Sequence, residues 1–248
     1  MRLPRAMFRH PPVMSAPRFS LVIPFYQEAG NVASVVPAAC AAMAGMDPGF
    51  EAILVDDGST DGTGRELARL AATDPRCLVI TLPVNGGQAA ALLAGLQQAR
   101  GEIIFTMDGD GQNDPGDFPA LLARLEQDRL DVVCGWRADR HDSALRRVMS
   151  RLANTVRSRL LRDGLHDAGC QLRVFRRAVL AALRPSPLMQ AFLPAMAVAV
   201  GFRVGELRVR HHPREHGTSK YNLGNLWWRP FIEMLRLRRT LPRPAPPR

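Results

Sequence analysis

Five short apolar runs punctuate the first half of this 248-residue chain, and each of the four gaps between them leaves room for one helix. The runs are FSLVIPF (19–25), EAILVD (51–56), CLVITL (77–82), EIIFTM (102–107) and DVVCG (131–135). Runs this short and this uniformly apolar are typical of strands covered on both faces. Between them, at about 31–46, 62–72, 86–99 and 116–128, lie Ala- and Leu-rich segments with helical spacing. Asn85 and Asp114 are predicted N-caps, the latter with Pro115 at the first helical position. Strand and helix repeated in this way predict an α/β layer fold: a mixed, mainly parallel sheet flanked by helices.

In such sheets ligands bind at the carboxyl ends of the strands, and that is where the acids collect. The first run ends in PFYQE, the second in VDDGSTDGT and the fourth in MDGDGQND. Asp108 and Asp110, one residue apart, should repel each other. Either a cation sits between them or their glycine-rich turn is simply solvated. Paired carboxylates suit a hard divalent ion such as Mg²⁺, which takes one or two of them together with substrate phosphates. In VDDGSTDGT, Asp61 reads as an ordinary N-cap. Asp56 and Asp57 are not needed for the turn, and a strand-end carboxylate can accept from a base N–H or a ribose hydroxyl.

The ordered set VIPFYQEAGNV, LVDDGSTDGT, NGGQAAALLAGLQQARGEIIFTMDGDGQNDP, GWRADR, HDAGCQLRVFRR and HHPREHGTSKY resembles a family 2 glycosyltransferase of the GT-A fold. More narrowly it resembles the polyprenyl-phosphate sugar transferases, the dolichol-phosphate mannose synthase group, over about residues 19–225. The resemblance implies a Rossmann-like GT-A domain that takes a hexose from a GDP- or UDP-sugar. It implies that Pro24, Tyr26, Glu28, Asp56, Asp57 and Gly86 line the nucleotide-sugar pocket. It makes Asp108 and Asp110 the DxD pair at a Mg²⁺ or Mn²⁺ ion, with Gln112 nearby. Many relatives carry membrane-spanning helices after the SKY motif, and the sequence as given has none there.

Charge divides the chain. Residues 1–128 hold 9 Arg against 15 acids, and residues 129–248 hold 24 basic residues against 8 acids. Such a basic half points to a polyanionic partner: nucleic acid, phosphate ligands or an anionic membrane. A lipid phosphate as acceptor would simplify the chemistry. Its second pKa lies near ~6, so it is already a nucleophilic anion at neutral pH, whereas an alcohol needs a base. Arg137 (GWRADR), Arg173 (CQLRVFRR) and Arg214 (HHPREHGTSK) are the candidate phosphate-binding cations. Lys220 joins them as the single Lys beside 32 Arg, with Ser219 adjacent. Asp167 would serve as a base for an alcohol acceptor; otherwise it positions Arg137 or caps a strand. His211, His212 and His216 raise a zinc reading that no cysteine accompanies, which leaves strand-end packing and phosphate contact.

The remaining expectations concern organisation. Residues 1–18 read as a disordered basic arm without the apolar core of a signal peptide, 19–222 as the catalytic domain, and 223–248 as an amphipathic helix with a Pro/Arg tail. An Arg-rich helix is predicted over 143–164. LMQAFLPAMAVAVGF (188–202) is too short to span a bilayer and reads as a buried helix, and no segment is expected to cross one. The helix around Trp227, Trp228, Phe231, Ile232 and Leu235 fits either an interfacial membrane helix or a face docked on the core or a partner subunit. Cys40, Cys77, Cys134 and Cys170 lie far apart in sequence and read as reduced buried thiols. Together these features predict a metal-dependent inverting hexosyltransferase, peripheral at the cytoplasmic face of the membrane. Its partners would be a nucleoside diphosphate sugar, a polyprenyl phosphate, and a second copy or a membrane protein. A hydroxyl acceptor is the alternative. A nucleic-acid-binding module is a more distant one, because no stacking platform or recognition motif is present and no nucleic acid is expected.

Overall fold

The computed structural model describes residues 16–138, 155, 157–161, 163–183, 188–214, 234–235 and 237–239. In chain order the elements are β1 (Phe19–Phe25), α1 (Ala29–Met46), β2 (Glu51–Asp56), α2 (Thr63–Ala71), β3 (Cys77–Thr81), α3 (Gln88–Gln98), β4 (Ile103–Thr106), α4 (Phe118–Gln127), β5 (Val132–Trp136), β6 (Arg173–Arg176), α5 (Arg177–Leu183), α6 (Met189–Ala199) and β7 (Val204–Arg208). A 3₁₀ turn, Pro115–Asp117, leads into α4.

Seven strands form one sheet in the order β3-β2-β1-β4-β6-β5-β7. β1 pairs in parallel with β2 and β4, and β2 with β3. β6 runs antiparallel between β4 and β5, and β7 is parallel to β5. The carboxyl ends of β1, β2, β4, β5 and β7 therefore share one edge, and β6 begins there, with Arg173 opposite Thr106.

Residue alternation sorts the core into two layers, because successive side chains of a strand point to opposite faces. Phe19, Leu21, Ile23 and Phe25 of β1 and Phe105 of β4 meet Val32, Val35, Val36 and Met43 of α1 and Leu121 and Leu125 of α4. Val22, Ile53, Val55, Ile104, Val132 and Phe175 face the other way, against Leu92 and Leu96 of α3 and Phe192, Leu193 and Ala197 of α6. Gly95 of α3 is pressed on Val22 and Val55, where a Cβ would overlap both. By length and mean hydropathy (1.4) α1 would pass for a membrane-spanning helix. Its face of Val32, Val35, Val36, Ala39 and Met43 is packed in the first core layer, which makes it a core helix. α6, with Pro194 inside it, is buried as the sequence predicts.

Two N-cap expectations divide. Asp114 accepts from the Gly116 amide at 2.8 Å, with Pro115 in the first position. Asn85 caps nothing: α3 starts three residues later, behind Gly87. Asp61 sits one residue before the cap position of α2, yet it accepts from the Thr63 amide at 3.0 Å and from the Ala29 amide at the start of α1 at 3.1 Å. Cys40 and Cys77, distant in sequence, bring their sulfurs within 3.8 Å between α1 and β3. Asp74 is their nearest carboxylate neighbour, but Arg76 holds both of its oxygens.

Of the helix predicted over 143–164, Thr155 and residues 157–161 are helical; Asp163 and Gly164 are not, the helix ending before the left-handed Gly164 (φ 69°), and the other residues of the span lie outside the described residues. In the C-terminal helix Met234 and Leu237 are buried in the second core layer, so that side is docked on the domain, whereas Leu235, the one described residue of the predicted apolar face, is exposed. Residues 1–15 of the arm, Trp227, Trp228, Phe231 and Ile232 lie outside the described residues.

Candidate active site

The acidic loops meet at the strand-end edge, where they are knitted together by side chains. Gln27, between Tyr26 and Glu28, adopts a left-handed φ of 55°. Its amide donates to Ser59 Oγ at 3.0 Å, and its side-chain oxygen accepts from the Thr60 and Asp61 amides, each at 3.0 Å. These three bonds fix the loop after β1 to the loop after β2 and hold a backbone conformation that costs a non-glycine residue energy.

Asp56 and Asp57 are both buried, and both serve the loops, contrary to the expectation that the turn does not need them. Asp56 Oδ1 accepts from the Ser59 amide at 3.0 Å, and its second oxygen faces Gly64 at the start of α2. Asp57 accepts from Asn85 Nδ2 at 2.9 Å and from the Gly86 amide at 2.8 Å. Burial raises the Asp57 pKa, while the Gly86 and Gly87 amides oppose the rise. The amide of Gly86 is thus spent on Asp57 and not offered to a ligand. Asn85 is a tether for Asp57.

β4 delivers Asp108 and Asp110 to the centre of the edge. Gly109 between them lies against the Phe25 ring, and a Cβ there would sit 2.8 Å from the Pro24 carbonyl oxygen. Close approach, not a special turn, requires this glycine: the positive φ falls at Gly111. Asp108 is half-buried and accepts from Gln88 Nε2 at 2.5 Å, while its amide donates to Asn113 Oδ1 at 3.0 Å. Gln190 Nε2 of α6 donates to Gln88 Oε1 at 3.1 Å and steadies that contact. Desolvation raises the Asp108 pKa first and Asp110 adds to it. Arg137, Arg173 and Arg214 pull it back, leaving the carboxyl at about 7. The turn is not simply solvated. It holds its acids together with nearby cations.

Those three arginines play different parts. Arg173 is buried, and its guanidinium donates to the carbonyls of Ala168 (2.8 Å), Cys170 (2.9 Å) and Gln190 (2.9 Å). Its donors are committed to backbone, so the expected phosphate ligand is instead a strut whose charge lies within reach of Asp108. Arg137 forms a two-pronged pair with Asp167, Nε to Oδ2 at 2.8 Å and Nη2 to Oδ1 at 3.0 Å. Burial works against the Arg137 charge, but the Asp167 bonds outweigh it and push its pKa above the usual arginine value. Of the three roles expected for Asp167, the geometry matches positioning of Arg137. Arg214 donates from Nη2 to Asp110 Oδ2 at 2.5 Å and from Nη1 to Glu28 Oε1 at 2.9 Å.

The expected metal neighbour Gln112 turns elsewhere: its side-chain amide meets the His212 carbonyl at 3.4 Å, and its backbone amide donates to Asp110 Oδ1 at 3.1 Å. His211 bridges to Asn113, and His212 Nε2 contacts Asp114 Oδ2 at 3.1 Å, which matches strand-end packing. His216, Ser219 and Lys220 lie outside the described residues. Pro24 and Tyr26, at the end of β1, are both half-buried, and the Pro24 carbonyl lies against Gly109. Sequence reasoning missed Gln27, Gln88, Asn113 and Gln190. Gln88 was signalled only by its place after two glycines at a helix start.

A model of glycosyl transferase family 2 matches residues 20–184. The chain belongs to that family. It is 40% identical over 228 residues, 90% of its length, to a dodecaprenyl-phosphate galacturonate synthase of Rhizobium johnstonii, of which it covers 67%. It is 40% identical over 204 residues to an undecaprenyl-phosphate 4-deoxy-4-formamido-L-arabinose transferase of Pseudomonas aeruginosa, of which it covers 60%. The chain thus spans about two thirds or less of these curated relatives. Glucosyl-3-phosphoglycerate synthase from Mycobacterium tuberculosis, solved with Mn²⁺, uridine diphosphate and phosphoglyceric acid, superposes with a TM-score of 0.67 at 20% identity. That match covers 92% of this chain and 80% of the synthase. A mannosyltransferase from Pyrobaculum calidifontis, solved with GDP-mannose and Mn²⁺, gives 0.57 at 22% identity over 79% of this chain and 56% of its own. These likenesses establish the GT-A fold, and family membership makes the chain a glycosyltransferase.

Proposed function

We propose that this glycosyltransferase moves a sugar from a nucleoside diphosphate to a polyprenyl phosphate at the cytoplasmic face of the membrane, with inversion at the anomeric carbon. The observation that carries the acceptor assignment is the Arg137–Asp167 pair. A carboxylate bonded on both oxygens to a guanidinium is a poor proton acceptor, whereas an alcohol acceptor would need one. A phosphate needs no base. It needs cations, and Arg137 is held ready to supply one; Ser219 and Lys220 are the further candidates from the sequence. The two curated relatives, both named for polyprenyl phosphate acceptors, support the same class.

On the donor side, Pro24, Tyr26, Glu28 and Asp56 border the nucleotide, while Asp57 and Gly86 hold the adjoining loop. The all-oxygen, part-desolvated set at Asp108 and Asp110 fits Mg²⁺ or Mn²⁺, and Asp108 gains most from a nearby cation because burial resists its charge. When bound, the ion would neutralise charge developing on the leaving diphosphate. Gln88 and Asn113 orient Asp108 for that task.

Incubation with UDP- and GDP-sugars and a short-chain polyprenyl phosphate, followed by NMR of the product, tests the proposal. A glycosyl phosphate of inverted anomeric configuration is expected. Transfer only to hydroxyl acceptors, or retained configuration, overturns it.

A further inference from the structure

Arg214 is an unusual neighbour for a metal-binding carboxylate. Its guanidinium forks between Asp110 Oδ2 at 2.5 Å and Glu28 Oε1 at 2.9 Å, and its side chain is about one-fifth exposed. Both acids are braced to receive it. The other Glu28 oxygen accepts from Asn31 Nδ2 at 2.5 Å, and the other Asp110 oxygen accepts from the Gln112 amide at 3.1 Å. The remaining oxygens face one cation.

The backbone that carries Arg214 is anchored just upstream. Val209 bonds to the Trp136 carbonyl at 3.1 Å and the His212 amide to the Gln112 carbonyl at 2.9 Å. Arg210 pairs with Asp114 and Asp117, each at 2.9 Å. Arg214 lies two residues past the last of these ties, so its long side chain can leave Asp110 without breaking them.

We propose that Arg214 is a tethered counter-ion which holds Asp110 and Glu28 until a divalent ion arrives with its nucleotide diphosphate, and which then transfers its fork to phosphate oxygens. The inference rests on the metal assignment above and adds an order to it. A divalent ion and a guanidinium cannot both occupy the same face of Asp110. An ion arriving alone must displace Arg214 from Asp110 and leave its fork half-paired, on Glu28 alone. An ion arriving with a diphosphate brings the anion that a planar fork binds well. Arg214 thus makes metal and nucleotide binding mutually dependent, and thermodynamic linkage makes that dependence reciprocal.

Mn²⁺ binding, followed by electron paramagnetic resonance and calorimetry with and without UDP or GDP, reads this directly without turnover. In the wild-type chain Mn²⁺ alone should bind weakly, and the preferred nucleotide should tighten it. Arg214→Gln should tighten Mn²⁺ alone by about fivefold or more while losing most of the nucleotide's effect, in keeping with ordinary coupling energies. Arg214→Lys, which keeps the charge but cannot fork, should lie between, and thermal melts of both variants verify folding. Unchanged or weaker binding of Mn²⁺ alone by a folded Arg214→Gln, with wild-type binding intact, overturns the exchange. No Mn²⁺ binding to wild type or variant with either nucleotide overturns the metal assignment, and the exchange falls with it.

Discussion

Replacing Asp167 by Asn is the sharpest way to separate positioning from base catalysis. The Arg137–Asp167 side chains are only 11% and 5% exposed, and two hydrogen bonds of 2.8 and 3.0 Å join them. Asn preserves the shape but removes the charge, and it turns an N–H toward a guanidinium that can only donate. Removing one partner of a buried pair costs about 3–5 kcal/mol, because the other charge is stranded. At roughly 2–4 °C per kcal/mol for a chain of this size, the midpoint should fall by about 6–20 °C. Differential scanning calorimetry measures that fall, and steady-state kinetics should show weaker use of the phosphate acceptor. The double variant Arg137→Met/Asp167→Leu should recover most of the midpoint and none of the activity, since an apolar pair of similar volume is often as stable as the ions it replaces. A midpoint within about 2 °C of wild type, normal acceptor KM and abolished kcat would refute the reasoning and restore Asp167 as a base.

Asp108 gives a pH prediction. A carboxyl at about 7 binds a metal only after losing its proton, so apparent Mn²⁺ affinity in titrations should rise about tenfold from pH 6 to pH 8. Its folded pKa is raised above the unfolded value, so its contribution to metal-free stability falls as pH rises from about 4 toward 7, which thermal melts across that window should show. Arg173→Met should move the metal-binding profile to higher pH and lower the melting midpoint, by removing a compensating cation and stranding buried carbonyls of Ala168, Cys170 and Gln190. Gly109→Ala should cost about 1–3 kcal/mol in denaturant unfolding and weaken Mn²⁺ binding, because Phe25 and Pro24 leave no room for a methyl group.

The strands were the most legible part of the sequence. β1 and β2 fall on the predicted residues, and the other three early runs differ only at their ends, because a sheet covered on both faces writes itself as continuous apolar segments. The acids at the strand ends were legible for the same reason. Arg173 was misread because a motif records the residue type and not its surroundings: the side chain is buried, and its donors face the carbonyls of Ala168, Cys170 and Gln190. The Gln88–Gln190 contact joins residues 102 apart, and no local pattern announces such a pair. Asn85 had the right chemistry for a cap, but Asp57 lay closer than any helix end.

The backward run of β6 has a mechanical consequence. β4, which leads into the twin aspartates, does not pair with β5, which leads into Arg137; they are hydrogen-bonded to opposite sides of one four-residue strand. Within the sheet the two halves are therefore joined through one four-residue strand. A substitution that slips β6 by one position would misalign both substrates at once, whereas changes in β3 or β7, out at the margins, leave the spacing between them untouched.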